Sequence, residues 1–515
     1  MKNLQKIYQS IVDSRNSYSK GFLLFFISSV VVYGILVVTP ALKHFQVGTF
    51  RDLLLLIFSW LFITAISGMI IYIISLNRWV FAFLFPVFVI STGIVSFYVG
   101  QYNLVFNSAV VESTLYTNNY EAFSQISFFL LGYISVLLLI SSFFVFRRFG
   151  LKKPKVDWVS FMIVLLGLLA IFANDKQRVL STFYYSPYAF FFGIDKSLVA
   201  DIPSPQKRVD VSAGAVCHSD SLIVVFVAGE AMRADHLSLN GYSRKTFPLM
   251  EKENPVSFKR IYSEWSYTIK SLPQIFTRAD SVNHWPLVNE KTFISIFNTC
   301  GYQSWWIGNQ DLNKFLKPLS DECDTVQLFS YTRDGKRYDG NMLPAIRHAV
   351  DSDDPKKLIV VHQFGCHWWY PSNCPREFEK FKPVMKTKNI SRYDSLKIVN
   401  SYDNTACYTD FFLSEIVKML KDKKAILIYL SDHGELLGED GKWIHAQQTD
   451  FEKNPACIIW FSDEYARRYP EKVKSAQQNK DNHFRTDFLF HSILDAGDIC
   501  APVRVDALDL FNQYH

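Results

Sequence analysis

The sequence lacks long hydrophobic runs after Asn174, has no cysteine before Cys217, and contains no internal repeat or low-complexity tract. Without a repeat, a solenoid or other repeat architecture is excluded. The net charge is only +6 over 515 residues and includes basic segments near the N-terminus, so it gives no argument for nucleic-acid binding. A chain of this length is too long for one ordinary domain, and its uneven composition predicts an apolar first part followed by a globular part.

The hydrophobic runs before Asn174 are each long enough, or nearly so, to cross a bilayer core of roughly 30 Å. They cover approximately Gly21 to Leu42, Leu53 to Leu76, Trp79 to Gly100, Ile126 to Phe146 and Trp158 to Ala173. Polar residues are too sparse in these runs for the amphipathic helices of a soluble bundle. The first run is also too long for a cleaved signal peptide, and further runs follow it. We therefore predict a transmembrane domain of five helices over residues 1–173.

The distribution of Lys and Arg predicts the orientation of these spans. Basic residues precede the first run and recur between Arg147 and Lys155, whereas the loop from Gln101 to Gln125 has no Lys or Arg. By the positive-inside rule, the N-terminus lies in the cytoplasm. Five spans then place the remainder of the chain in the periplasm or outside the cell.

The cysteines all lie in this later part of the chain. They are Cys217, Cys300, Cys323, Cys366, Cys374, Cys407, Cys457 and Cys500. An oxidising compartment favours disulfides, and Cys366 and Cys374 are close enough in sequence to close one small loop. The alternative is a set of free, buried cysteines.

The later part of the chain has the pattern of an α/β domain. Residues 174–213 carry scattered proline, serine and charged positions and predict a bridging segment near the membrane surface. From residue 214 to 515, short apolar runs alternate with longer amphipathic stretches, which predicts a mainly parallel central sheet. The predicted strands are Leu222 to Val227, Gln303 to Ile307, Lys357 to Val361 and Ala425 to Leu430, and a helix is predicted from about Leu396 to Leu420.

Metal-binding side chains follow two of these strands. Glu230 comes after the first, and the adjacent pair Asp432 and His433 comes after the last. Open α/β sheets bind ligands at the carboxyl ends of their strands, and carboxylates and imidazoles both bind zinc. Glu230 could instead stabilise the N-terminus of a following helix through the helix dipole, and an Asp-His pair could be part of an ordinary turn. The coincidence of these groups at one sheet edge favours a zinc site for group transfer.

Hydroxyls suited to a nucleophile occur between these groups in the sequence. Ser266, Thr268 and Ser271 all lie close to a predicted helix start, where a metal and the helix dipole would favour the alkoxide. Each could equally be a helix cap. The residues alone do not choose among the three.

Other histidines lie in loops or on a helix near the same elements. His367 follows the third strand and His445 follows the Asp-His pair, which predicts ligands of a second metal or of a phosphate group. Asp487 and His491 are four residues apart on a predicted helix, and we interpret them as a structural contact.

With these residues identified, the sequence resembles the phosphoethanolamine transferases of the alkaline phosphatase/sulfatase superfamily, which include lipid A enzymes that confer polymyxin resistance. The resemblance covers most of the chain. It rests on the five spans and on the segments 227–242, 400–405, 431–439 and 487–491.

The resemblance implies a specific chemistry. The family has Thr, Ser three residues later and Pro five residues later, which corresponds here to Thr268, Ser271 and Pro273. Thr268 would then take phosphoethanolamine from phosphatidylethanolamine and pass it, through a phosphothreonine, to an envelope glycolipid or glycan, with lipid A or core oligosaccharide foremost. The implied enzyme lies in the bacterial inner membrane with its catalytic domain in the periplasm.

The resemblance also implies roles for individual residues. Zinc would be bound by Glu230, Thr268, Asp432 and His433. A second zinc or the phosphoethanolamine group would be bound by His367 and His445, with Lys314 contacting substrate. The donor lipid would contact Thr117 and Glu121.

The sequence departs from the family at several positions. The cysteines that flank the nucleophile in many members are absent, Ser113 replaces a common asparagine, and the loop after His367 reads Trp-Trp-Tyr-Pro. A sulfatase would require Arg where Ile275 stands, whereas a phosphoglycerol transferase shares these motifs. A membrane-anchored binding protein without turnover is the alternative outside enzymes, although no proposed metal ligand is lost.

Overall fold

The computed structural model describes residues 20–117, 122–123, 125–152, 186–192, 208–329, 336–390 and 395–512. The chain forms two compact units. The first comprises Met1–Val111 and Phe123–Lys196, and the second comprises Glu112–Ala122 and Ser197–His515.

The first unit contains four helices that are long and apolar enough to cross a membrane. Their bounds are Lys20–Ala41, Phe50–Ser75, Arg78–Tyr102 and Phe128–Phe149. Side-chain oxygens cap three of them: Thr49 accepts from the Asp52 amide, Asn77 from the Trp79 amide and Ser127 from the Leu130 amide. Four of the five predicted spans are therefore helices of suitable length, and the fifth, Trp158 to Ala173, lies outside the described residues.

A seven-stranded sheet forms the centre of the second unit. Its strands are β1 (Leu222–Gly229), β2 (Val256–Phe258), β3 (Gln303–Gly308), β4 (Thr325–Leu328), β5 (Lys356–His362), β6 (Ala425–Ser431) and β7 (Cys457–Phe461). The spatial order is β2-β7-β6-β1-β5-β3-β4. Strands β6, β1, β5, β3 and β4 are mutually parallel, whereas β7 is antiparallel to both of its neighbours. The sheet is therefore mixed, and the prediction of a mainly parallel sheet omitted this reversed strand.

The four predicted strands and the predicted long helix are present with small shifts at their ends. Every residue of β1 and β6 is buried, because helices and loops cover the sheet on both faces. This burial explains why these strands appear in the sequence as continuous apolar runs. Strands β2, β4 and β7 were not among the predicted strands.

Helices surround the sheet. Those of the second unit are Pro248–Glu251, Thr268–Phe276, Pro286–Asn289, Phe293–Thr299, Lys317–Ser320, Leu343–Val350, Tyr370–Asn373, Ser395–Leu420, Asp463–Arg468, Pro470–Asn479 and Phe488–Ala496. Two-residue strands pair as Val216–Cys217 with Ile499–Cys500, Ile261–Tyr262 with Phe484–Arg485, and Leu436–Leu437 with Trp443–Ile444. Two further short helices are Ser108–Tyr116 and Ala189–Phe192.

The structure contradicts the expectation that the cysteines form disulfides. All eight are free thiols, so the expected disulfides are not formed, and Cys366 does not pair with Cys374. Six of the eight are buried, which matches the alternative of cysteines that pack as small apolar side chains.

Candidate active site

The carboxyl ends of β1 and β6 bring the two halves of the predicted zinc site together. These strands are parallel neighbours with Gly229 opposite Ser431, so the residues that follow them, Glu230 and Asp432, lie side by side. The backbone reinforces this arrangement, because the amide of Ala231 donates to Asp432 Oδ1 at 3.1 Å. Ligand atoms of Glu230, Asp432 and His433 all lie within 4.8 Å of one another, and all three residues are buried.

The free atoms of this cluster face one another. Glu230 Oε1 and Asp432 Oδ2 are buried and have no hydrogen-bond partner among the described residues. Each lies 3.4 Å from His433 Nε2. The other ring nitrogen of His433, Nδ1, lies 2.7 Å from the carbonyl oxygen of Gly434. When Nδ1 donates to that carbonyl, Nε2 presents a lone pair, which is the usual arrangement of a metal-binding histidine.

Burial shifts the pKa values of Asp432, Glu230 and His433. It raises the pKa of Asp432 to about 6, and burial together with the nearby Asp432 charge raises the pKa of Glu230. Burial also lowers the pKa of His433 well below its usual range, which keeps the imidazole neutral. Two buried carboxylates beside a neutral imidazole fit a divalent cation, because the cation compensates charges that burial alone would penalise.

Thr268 is the candidate hydroxyl that reaches this cluster. It is the first residue of the helix Thr268–Phe276, and its Oγ1 donates to Glu230 Oε2 at 3.1 Å and lies 3.4 Å from His433 Nε2. Thr268 is only half-buried, so one side of the hydroxyl remains accessible.

The two competing serines have other partners. Ser266 Oγ accepts from the amide of Gln448 at 3.3 Å. Ser271 Oγ bonds back to the carbonyl of Tyr267 at 3.0 Å, which is the local role expected of a serine inside a helix.

The predicted histidine pair lies beside the cluster. The rings of His367 and His445 are 6.1 Å apart, and the ring of His445 is 4.7 Å from that of His433. Burial opposes a charge on His445, yet the carboxylate of Glu435, 3.3 Å from Nδ1, raises the pKa of His445 to about 9. Burial lowers the pKa of His367 to about 3. The pKa values of the two imidazoles beside the candidate cation site are therefore shifted in opposite directions.

The predicted substrate contacts lie at different places. Lys314 lines a cavity of about 330 Å³ that Ile269 and Lys270 of the helix Thr268–Phe276 also border, and the Nζ of Lys314 is 4.2 Å from the ring centre of Tyr116. The Thr117 hydroxyl donates to the carbonyl of Ser113, and not to a residue of the cluster. Glu121 lies outside the described residues.

The proposed structural pair Asp487 and His491 shares a helix turn, but His491 has another partner. Its Nδ1 accepts from the amide of Val505 at 3.0 Å. The nearest charged side chain to Asp487 is instead Arg485, at 3.7 Å.

Two further residues fix the geometry and were missed in the sequence. Gln310 donates to Glu230 Oε2 at 2.9 Å. Arg233, in the loop after β1, donates to the side chain of Glu439 and to the carbonyl of Glu435, both in the segment after β6. Gln310 follows the predicted strand Gln303 to Ile307, so the strand-end argument that identified Glu230 could also have found it. No comparable signal marked Arg233.

Comparison with known proteins agrees with this geometry. The family model described as Sulfatase matches residues 223–499, and the model described as Phosphoethanolamine transferase EptA/EptB matches residues 63–202. The chain belongs to the phosphoethanolamine transferases of the sulfatase superfamily.

Relatives support this assignment at low identity. The chain is 24% identical over 454 residues to phosphoethanolamine transferase EptA of Escherichia coli (strain K12), with 79% of this chain and 81% of the relative covered. It is also 24% identical over 435 residues to phosphatidylethanolamine transferase Mcr-2 of Escherichia coli, with 76% and 80% covered.

Solved structures share the fold. The integral membrane lipooligosaccharide phosphoethanolamine transferase A of Neisseria meningitidis matches with a TM-score of 0.78 at 23% identity, covering 94% of this chain and 97% of that one. The periplasmic domain of EptC from Escherichia coli, solved as a complex with Zn, matches with a TM-score of 0.54 at 23% identity, covering 59% and 90%.

Proposed function

We propose that this family member transfers phosphoethanolamine from phosphatidylethanolamine to a lipid A-type glycolipid of the bacterial envelope, through a phosphothreonine at residue 268. The observation that carries the proposal is the position of the Thr268 hydroxyl, 3.1 Å from Glu230 in a cluster with Asp432 and His433. The names of the relatives support the transferred group, the donor and the lipid-type acceptor.

The proposed resident metal is zinc, bound by Glu230, Asp432, His433 and the Thr268 oxygen. The unpartnered oxygens of Glu230 and Asp432, each 3.4 Å from His433 Nε2, fit such an ion, and the relative EptC was solved with Zn. When bound, zinc lowers the pKa of a hydroxyl and neutralises charge that develops on a phosphoryl group.

In the first half-reaction, the Thr268 oxygen attacks the phosphorus of the donor. A bond forms between Oγ1 and phosphorus, the bond from phosphorus to the glycerol oxygen breaks, and diacylglycerol leaves with a proton. In the second, an acceptor oxygen attacks the same phosphorus, and Thr268 recovers its hydroxyl. We propose that His367 and His445 contact the phosphoryl group or the ethanolamine attached to it, or bind a second zinc, and that Lys314 contacts the substrate. Thr117 and Glu121 are the proposed contacts of the donor lipid.

The same proposal assigns positions to the parts of the chain. Residues 1–173 form a membrane domain with Trp158 to Ala173 as a fifth span, residues 174–213 form a bridge, and residues 214–515 form the catalytic domain in the periplasm. The membrane helices and the family assignment support an inner-membrane protein.

Mass spectrometry of the purified full chain, incubated with phosphatidylethanolamine and zinc, tests the proposal. We expect a mass gain of one phosphoethanolamine on the peptide containing Thr268. A phosphoglycerol adduct formed with phosphatidylglycerol would assign the protein to that rival class of transferase. If neither lipid produced an adduct, the proposed reaction would be wrong.

A further inference from the structure

The side chain of Gln310 reaches across the sheet edge to a proposed zinc ligand. Gln310 lies two residues after the end of β3 and is 6% exposed. Its Nε2 donates to Glu230 Oε2 at 2.9 Å and to the carbonyl oxygen of Gln363 at 2.8 Å. These acceptors follow β1 and β5, and β5 lies between β1 and β3 in the sheet. One amide group therefore connects the ends of three adjacent strands.

This contact determines which oxygen of Glu230 is available. Oε2 accepts from both Gln310 and Thr268, whereas Oε1 has no partner among the described residues and lies 3.4 Å from His433 Nε2. The rotation of a carboxylate about its terminal bond is soft, so a directional donor on one oxygen fixes the direction of the other.

An amide is suited to this position by its chemistry. Its NH₂ group has two hydrogens, and both of the neighbouring groups are acceptors. A glutamate at position 310 would place a second carboxylate beside Glu230 without a donor. The side-chain amide of Gln363 does not make this contact, because neither of its polar atoms has a hydrogen-bond partner among the described residues.

We propose that Gln310 is a positioning residue that holds Glu230 in its metal-binding orientation. The inference rests on the proposed function, since it takes the cation to be zinc. Residues that hydrogen-bond to metal ligands typically change metal affinity by about 10–100-fold when they are removed. Gln310 touches a ligand of the metal site without being a ligand itself, so its loss weakens zinc binding without removing the site.

The test compares zinc dissociation constants, measured on the zinc-free full chain by competition with a chromophoric chelator. Gln310→Met keeps the side-chain volume and removes the donor, and Gln310→Asn keeps the amide but withdraws it by one methylene. We expect both to raise the dissociation constant, Gln310→Met by about 10–100-fold. Gln274→Met is the matched control, because Gln274 is also buried and also donates to a carboxylate, Glu264, outside the cluster.

Two further readouts separate positioning from folding. We expect the zinc-free Gln310→Met and Gln274→Met proteins to remain folded with similar decreases in melting temperature, because each loses a buried amide donor to a carboxylate. We expect excess zinc to restore the Thr268 adduct in Gln310→Met. An unchanged zinc dissociation constant in both Gln310 variants, with tight binding by the wild type, would overturn this inference alone. A wild-type chain that binds no zinc would overturn the proposed function.

Discussion

The hydroxyl of Thr268 donates to the carboxylate of Glu230 across 3.1 Å, although the two residues lie 38 positions apart in the sequence. Glu230 is fixed at the end of a buried strand, and Thr268 begins a helix that points its first residue at that strand end. In the proposed reaction, this hydroxyl is the group that attacks the phosphorus.

Replacing Thr268 by alanine should abolish transfer without unfolding the domain. The substitution removes the proposed attacking oxygen, but otherwise only the contacts of one half-buried hydroxyl with Glu230 and His433, so the melting temperature should change little. Product formation and thermal melting of Thr268→Ala provide the measurement. Ser271→Ala is the control, since that hydroxyl bonds back to its own helix and should not be needed for transfer. Transfer that survives in Thr268→Ala would contradict the assignment.

Chelation should inactivate the protein, and zinc should restore it. The cluster of Glu230, Asp432 and His433 contains a nitrogen ligand, which zinc accepts readily and Mg²⁺ does not favour. Adduct formation at Thr268 should therefore return with Zn²⁺ and not with Mg²⁺. Full activity in a preparation shown to be metal-free by elemental analysis would exclude the mechanism.

Gly365→Ala should weaken zinc binding by displacing Glu230. Gly365 has a positive φ of 50°, and a Cβ added there would lie 3.0 Å from the carbonyl oxygen of Glu230 and 3.2 Å from its amide nitrogen. The strain alone should lower the free energy of unfolding by roughly 1–3 kcal/mol. Zinc titration and urea unfolding provide the two measurements.

The matched control for Gly365 is Gly241→Ala. Gly241 also has a positive φ, 97°, but an added Cβ would meet no atom within 4 Å. This variant should lose stability and keep its zinc affinity. Equal zinc affinities in the two variants would show that the close approach of Gly365 does not position Glu230.

Arg233→Met should destabilise the second unit of the chain. The guanidinium is buried, with a side chain 3% exposed, and it pairs with Asp235 and Glu439. Both carboxylates remain partly exposed, so the expected loss is roughly 1.5–3 kcal/mol, the range for hydrogen bonds to charged groups. Urea unfolding measures it. Lys317→Met breaks an ion pair with Asp321 in which both partners are over half exposed, and it should have almost no effect; equal losses in the two variants would contradict the argument.

His362→Leu should make the free energy of unfolding depend less steeply on pH below pH 6.5. Burial, with the charge of Arg337, lowers the pKa of His362 to about 3 in the folded protein. Below its ordinary pKa near 6.5 the unfolded chain binds a proton that the folded chain does not. The free energy of unfolding should therefore fall as pH drops from 6.5 towards 3, by up to about 1.4 kcal/mol per pH unit for this one histidine.

Unfolding of the wild type and of His362→Leu between pH 5 and 7 checks this sign. The variant should show a shallower slope, whereas His348→Leu, a change at an exposed histidine, should retain the wild-type slope. Identical slopes in wild type and His362→Leu would contradict the prediction.

Much of the fold was predictable because its strongest signals are local. Strands buried on both faces appear as apolar runs, and the helix Ser395–Leu420 keeps its helical spacing over 26 residues. Strand β7, Cys457–Phe461, was not among the predicted strands, and an apolar run carries no information about direction, so its antiparallel pairing could not be predicted either. The cysteine count likewise could not reveal whether the thiols pair.

The sequence by itself determined the chemistry available: apolar runs of membrane-spanning length, carboxylate and imidazole groups after buried strands, and hydroxyls near a helix start. Residue types alone left Ser266, Thr268 and Ser271 equivalent, and the resemblance to a family named Thr268. Only the tertiary structure decided which hydroxyl lies within hydrogen-bond distance of Glu230, and that Gln310 donates to the same carboxylate from two strands away. The reason is physical: periodicity and strand ends are local properties, whereas a distance of 3 Å between residues far apart in sequence depends on how the whole sheet packs.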